Sequence, residues 1–283
     1  MKNVACFFTG GYTESNSMCK FLNKINESIH LKQFCPNRTK RRKVKRGSGN
    51  VTECDLIDEV CGLTGSSLIQ YVSDYLDTHK DEFLEFDALI IEDDLDGRSF
   101  EVDAKGNKYS IKNDEFVQYC NQVKSNILRK LDKGDDFPII LIYAAPEVET
   151  WLLSDWDNTF GYVYGPKVLN CLTTEENTYF SARFHPYVNE NVLKEYKDRI
   201  ENYGYFENTY YKLSDQLISS LDSFKAFVGN EAEDAPQSIA QNKELRYSKR
   251  LHGDAMLRYI SPEKIKAKCP SYFAEAYDII KSL

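Results

Sequence analysis

The amino-acid sequence predicts an α/β fold, a mostly parallel sheet flanked by helices and followed by a mainly helical C-terminal extension. Three observations predict it. Short apolar runs, Val4 to Phe8, Asp87 to Ile91 and Pro138 to Ala145, read as strands buried on both faces. Segments with apolar residues at helical spacing separate these runs, the alternation that builds a parallel sheet. Each run also ends in polar or acidic residues: Thr9 to Glu14, Asp93 to Asp96, and Pro146 to Glu149. In such sheets ligands bind at the carboxyl ends of the strands, so three neighbouring strands would converge on one crevice.

The elements follow in order. Thr9-Gly10-Gly11 turns the chain out of the first strand. A helix capped near Ser15 or Asn16 follows, with Met18, Phe21, Leu22, Ile25 and Ile29 on one face. Residues 31 to 62 read as irregular, basic and hairpin-like. A second helix begins at Gly65-Ser66-Ser67 and buries Leu68, Ile69, Val72, Tyr75 and Leu76. After the second strand, "FEVDAKGNKYSI" alternates around Lys105-Gly106-Asn107 and predicts a small hairpin. A third helix spans about 113 to 131. Pro146 suits the first turn of a helix after the third strand. Residues 155 to 210 are rich in Tyr, Phe and Asn and carry only short, ambiguous elements. Helices are expected again at about 214–228 and 272–283. The domain reading is a core of 1–155, with a basic insert at 31–62, and a mainly helical region of 156–283 packed on it.

Composition narrows the class. The chain has 283 residues, 42% hydrophobic and 13% aromatic, enough for a substantial core. No run of eighteen apolar residues exists, so no membrane span is expected. The first residues lack a secretory pattern, and a cytoplasmic location is expected. The eight cysteines include no C-x2-C pair. Cys35, Cys54 and Cys61 leave a zinc site open, but reduced thiols are the simpler reading. The net charge is -8, which excludes a generally basic nucleic-acid coat. "NRTKRRKVKR" departs from that average with seven basic residues and no acid. It is either a solvated loop or a phosphate-binding patch carried by Arg41, Arg42, Lys43, Lys45 and Arg46.

"ALIIEDDLDGR" is the chemically loaded stretch. Strand alternation puts Asp94 and Asp96 on one side and Asp93 on the other, leaving Glu92 least certain. Two carboxylates at i and i+2 suit a shared hard divalent cation, Mg2+ or Mn2+. A solvated acidic exit is the bland alternative. An EF-hand template also overlays Glu92, Asp94, Asp96, Gly97 and Asp103, but a β-type run leads into it. Glu149 in "PEVETWLLSDWD" and Glu14 in "TGGYTESN" would assist as ligands or as a base. Each also has a plain reading as an acid at a helix start. Lys249, Arg250 and His252 in "YSKRLHG" would grip phosphates or form a solvated basic face.

Together these pieces resemble a known family. The G-x-T-E run (Gly11, Thr13, Glu14), the D-x-D at Asp94 and Asp96, and "PEVETWLLSDWD" in that order resemble TOPRIM-like proteins. The similarity is greatest to a TOPRIM-like family of unknown function related to RloB and the OLD-type nucleases of phage defence. "YSKRLHG" and "KCPSYFAEAYDIIKSL" resemble that family's closing segment. The resemblance implies a divalent-metal nuclease centre with Asp94, Asp96, Glu149 and Glu14 as metal and catalytic residues, DNA or RNA as substrate, and an ATPase as companion. One departure stands out. Relatives usually carry a Glu before the first-strand glycine, where Thr9 and Gly10 stand here. Two functions are therefore expected: a Mg2+- or Mn2+-dependent phosphodiesterase, or a catalytically degenerate module that binds nucleic acid or a partner without cutting.

Overall fold

The computed structural model describes residues 1–9, 13–36, 43–45, 52–54, 60, 62–95, 100–102, 108–110, 114–196, 198, 200–203, 205–206, 209–230 and 235–283. In the chain's first half lie β1 (Lys2–Phe8), α1 (Glu14–Ile25), β2 (Ile29–Cys35), β3 (Lys43–Lys45), β4 (Thr52–Cys54) and α2 (Gly65–His79). They are followed by β5 (Ala88–Asp94), β6 (Phe100–Val102), β7 (Lys108–Ser110), α3 (Asp114–Leu131), β8 (Ile139–Ala144) and α4 (Val148–Ser154). The second half contains α5 (Phe160–Val163), α6 (Thr174–Val188), β9 (Tyr205–Phe206), β10 (Thr209–Tyr210) and α7 (Leu213–Asn230). It closes with α8 (Gln237–Gln241), α9 (Asp254–Tyr259), α10 (Pro262–Lys268) and α11 (Ala274–Ser282).

The predicted fold class holds: a four-stranded, all-parallel sheet in the order β2-β1-β5-β8 is flanked by helices. From β1 the chain moves outward to β2, then returns through α2 to β5 on the other side of β1. The β1–β5 boundary is therefore the topological switch point, where parallel sheets open a crevice. Strand alternation sorts the side chains. Val4, Cys6 and Phe8 of β1 and Ala88 and Ile90 of β5 join α1 and the helices after β8 in one core. Ala5, Phe7, Leu89 and Ile91 face α2 and α3 in the other. The first core runs without a break into Phe180, Phe224, Leu257 and Ile280, so the C-terminal helices share it with the sheet.

Four local expectations are corrected. Ile29 does not continue α1; with residues to Cys35 it forms β2, inside the segment read as irregular. β2 is an edge strand that buries Ile29, Phe34 and Cys35 but leaves His30 and Lys32 exposed, which hides its signature. Pro146 precedes α4 rather than starting it, because Glu147 is the N-cap. The region read as ambiguous holds the fifteen-residue α6, started by a capping box between Thr173 and Glu176. Both small hairpin readings agree with antiparallel pairs, β3 with β4 and β6 with β7. No helix among the described residues is long and apolar enough to cross a membrane.

Trp151 of α4 joins the sheet to the C-terminal helices. It is fully buried, with ring centroids 5.7 Å from Phe21 of α1 and 5.2 Å from Phe273 before α11. Trp151→Ala is expected to lower stability by about 3–5 kcal/mol. A thermal or urea melt of the full chain will measure the loss.

Candidate functional site

At the carboxyl ends of β1, β5 and β8 the apolar alternation continues in acids. Glu92 and Asp94 follow Ala88 and Ile90 toward the α1 face, and both are buried. Asp93 follows Leu89 and Ile91 to the opposite side. There it accepts from the backbone N–H of Gly65 (2.9 Å) and the hydroxyl of Thr9 (3.0 Å). Gly65 has φ of +56°, a left-handed backbone that favours glycine, and its N–H starts α2. Asp93 therefore anchors a helix. Thr9 helps hold it.

Glu14, the first residue of α1, is also buried here, and its charge lies close enough to Glu92 to act on it. Asp94 accepts from the N–H of Val148 at 3.0 Å, which ties β5 to the start of α4. Glu147 accepts from the N–H of Leu213 (3.1 Å), the hydroxyl of Ser214 (3.0 Å) and the ammonium of Lys249 (3.2 Å). Glu149 is fully buried; it accepts from the Tyr247 hydroxyl at 2.7 Å and lies 3.3 Å from Lys249 Nζ. The segment carrying Tyr247 and Lys249 is seated against α1. Thr13 donates to the Lys249 carbonyl at 3.1 Å, and a Cβ at Gly253 would meet the Thr13 hydroxyl at 2.6 Å, so only glycine permits that approach. A second tie joins Ser17 of α1 to Arg258 Nε at 2.9 Å and to Asp254.

The electrostatics follow from burial. Burial pushes the Glu92 carboxyl well above the ordinary carboxylate range, and the nearby charges of Glu14, Asp94 and Asp93 push it the same way. Both Glu92 carboxylate oxygens are buried without a hydrogen-bond partner. Burial also raises Glu149, assisted by Glu147 and opposed by Lys249 and the Tyr247 hydroxyl. For Lys249, burial disfavours the charged form, but Glu149, Asp94 and Glu147 outweigh it and hold the ammonium protonated. Burial and the neighbouring Glu149 raise the Tyr247 hydroxyl, which stays neutral and donates.

Of the residues expected in the site, Glu14, Asp94, Glu149 and Lys249 are brought together. Asp96 lies outside the described residues, as do Arg41, Arg42 and Arg46; for Lys43 and Lys45 only the backbone of β3 is described. The EF-hand positions Gly97 and Asp103 and the thiol of Cys61 also lie outside them. His252 is buried and its ring stacks on Tyr164 at 5.1 Å. Lys249 faces carboxylates in this structure. Arg250 is exposed. Glu92, two residues before Asp94 on one strand, shares that face. Nothing in the spacing points to Tyr247, nearly a hundred residues from its partner Glu149.

The donors gathered here are carboxylates, with a buried pair of unpartnered oxygens on Glu92. That donor set fits a hard cation such as Mg2+ or Mn2+ rather than a soft one. Among the described residues, no three His, Cys, Asp or Glu side chains are arranged to hold a metal ion.

Two outcomes are expected. Glu92→Gln removes a carboxyl whose ionised form is disfavoured by burial, so at high pH it should stabilise the metal-free protein by about 1 kcal/mol or more. Because burial raises the carboxyl, the unfolded chain ionises first and the native form loses stability as pH rises. The gain should therefore be larger at pH 8 than at pH 5 in thermal melts. His252 behaves oppositely: burial lowers it from 6.5 to about 4. The unfolded chain then binds a proton that the folded chain refuses, so stability is intact above pH 6.5 and declines as pH falls toward 4. His252→Phe should flatten roughly 2 kcal/mol of that decline in urea melts.

No family model matches the chain, and neither a curated protein nor a solved structure matches it.

Proposed function

We propose that the crevice is a divalent-metal centre that hydrolyses phosphodiester bonds of nucleic acid, DNA or RNA, in a cytoplasmic phage-defence setting. One observation carries the chemistry. Glu14, Glu92, Asp94 and Glu149 are buried together at the switch point of a parallel sheet, and both Glu92 oxygens lack a donor. Buried like charges raise the energy of the fold unless cations or protons offset them, and a divalent cation is one such offset. The nucleic-acid substrate and the defence setting rest on the resemblance carried by Gly11, Thr13, Glu14, Asp94, Asp96 and the run from Pro146 to Asp157.

In this reading Asp94, Glu92 and Asp96 would hold the cation, with Glu149 and Glu14 completing or orienting the set. A bound Mg2+ or Mn2+ supplies Lewis-acid polarisation of the phosphate and lowers the pKa of water. The chain's own groups supply the rest. The Val148 N–H fixes the Asp94 carboxylate, and the Tyr247 hydroxyl fixes Glu149. Burial raises the Glu149 carboxyl, the direction that suits a group taking and returning a proton. Arg250 and the basic run at 37–46 would track the backbone, so binding should weaken with salt.

A second reading has its own support. Thr9 occupies the place of an expected acid and is committed to Asp93, and Lys249 already pairs Glu147 and Glu149. Both features suit a degenerate module that binds nucleic acid, or a partner such as an ATPase, without cutting it.

Purified protein incubated with Mg2+ or Mn2+ and single-stranded DNA, duplex DNA and transfer RNA separates the two. Cleavage of at least one substrate is expected, reduced more than ~10²-fold by Asp94→Ala. Equal cleavage by both proteins would sink the assignment of Asp94. Binding of substrate without metal uptake or cleavage would favour the degenerate module.

A further inference from the structure

We propose that Lys249 is the crevice's built-in counter-ion and competes with the divalent cation for the same acids, so that metal loading expels its side chain. This rests on the metal reading above and adds what regulates that site.

The ammonium is the better-placed group to leave. Lys249 Nζ lies 3.2 Å from Glu147 and 3.3 Å from Glu149, and it also feels the charge of Asp94. About 36% of its side-chain surface reaches solvent, against 1% for Glu147 and 0% for Glu149. The carboxylates are fixed by other donors: Glu147 by Leu213 and Ser214, Glu149 by Tyr247, Asp94 by Val148. None of these depends on the lysine. The Lys249 backbone is fixed as well, because its carbonyl accepts from Thr13 beside Glu14. What remains free to move is a flexible four-carbon arm on an anchored residue, ending in a compact charge.

Two cations this close disfavour one another. A divalent ion held by Asp94 and Glu149 would sit beside the ammonium in a poorly screened interior, where like charges repel strongly. The acids accept one or the other. The lysine keeps the buried acids compensated until the metal arrives, and it sets a threshold concentration below which metal does not enter.

The test is a Mn2+ titration of the full chain, followed by electron paramagnetic resonance, on the wild type, Lys249→Met, Lys249→Arg and Asp94→Ala. Lys249→Met is expected to bind Mn2+ about ten times more tightly than wild type, or better, because the competing charge is gone. Lys249→Arg, which keeps the charge, should show no such gain, and Asp94→Ala should lose binding. If Lys249→Met fails to fold, Lys249→Gln retains a donor to the two glutamates and should shift affinity in the same direction. Wild-type binding that depends on Asp94, with no gain in the uncharged variants, overturns the competition and leaves the metal centre standing. Absence of Mn2+ binding in wild type and uncharged variants alike overturns both.

Discussion

The arrangement of this protein turns on negative charge buried at the carboxyl ends of its strands, where the Lys249 ammonium meets Glu147 and Glu149. Glu92, Asp94, Glu147 and Glu149 come from two adjacent strand ends and the helix after one of them, and Glu14 from the helix after a third. Parallel strands bring these ends together by topology alone, and the apolar alternation below them fixes which side chains point inward. The sheet thus dictates that the acids meet. Lys249, from the far end of the sequence, places an ammonium beside two of them, Glu147 and Glu149.

Much of the surrounding architecture serves that arrangement. Thr13 and Gly253 hold the lysine-bearing segment against α1, and Ser17 repeats the tie one turn on, through Asp254 and Arg258. Glu147 is both an acid of the crevice and the joint between α4 and α7. Asp93, one residue from two site acids, is instead a helix anchor. Adjacent carboxylates on one strand thus have different work because the pleat sends them to different neighbours.

The fold was legible where burial was two-sided. β1, β5 and β8 are continuous apolar runs because helices cover both faces of each, and α1, α2 and α3 carry clean apolar stripes. β2 was not legible, since an edge strand buries too little to force a pattern: "IHLKQFC" reads as polar until β1 is placed beside it. α6 escaped for a related reason. Its buried Phe180, Phe184 and Val188 are correctly spaced, but Pro186 and a scatter of partly exposed aromatics blur the stripe. In the site, Glu14, Asp94 and Glu149 stood out as acids at strand or helix ends. Glu92 was readable from the parity of its position. Tyr247, Glu147 as a joint and the inward turn of Lys249 were not, because each depends on contacts between residues far apart in sequence. His252 misled for the opposite reason, since a basic neighbourhood in sequence says nothing about which face a ring presents.

The seating of residues 247–254 on α1 has a consequence in time. Its hydrogen bonds to Thr13 and Ser17 span 236 and 237 positions of the chain, among the longest loops the fold must close. Such closures come late, after local helices and neighbouring strands have formed. A nascent chain can therefore complete its sheet, and gather its acids, well before the lysine that balances them has left the ribosome. During that interval Glu147 and Glu149 are without the ammonium that the folded chain places beside them.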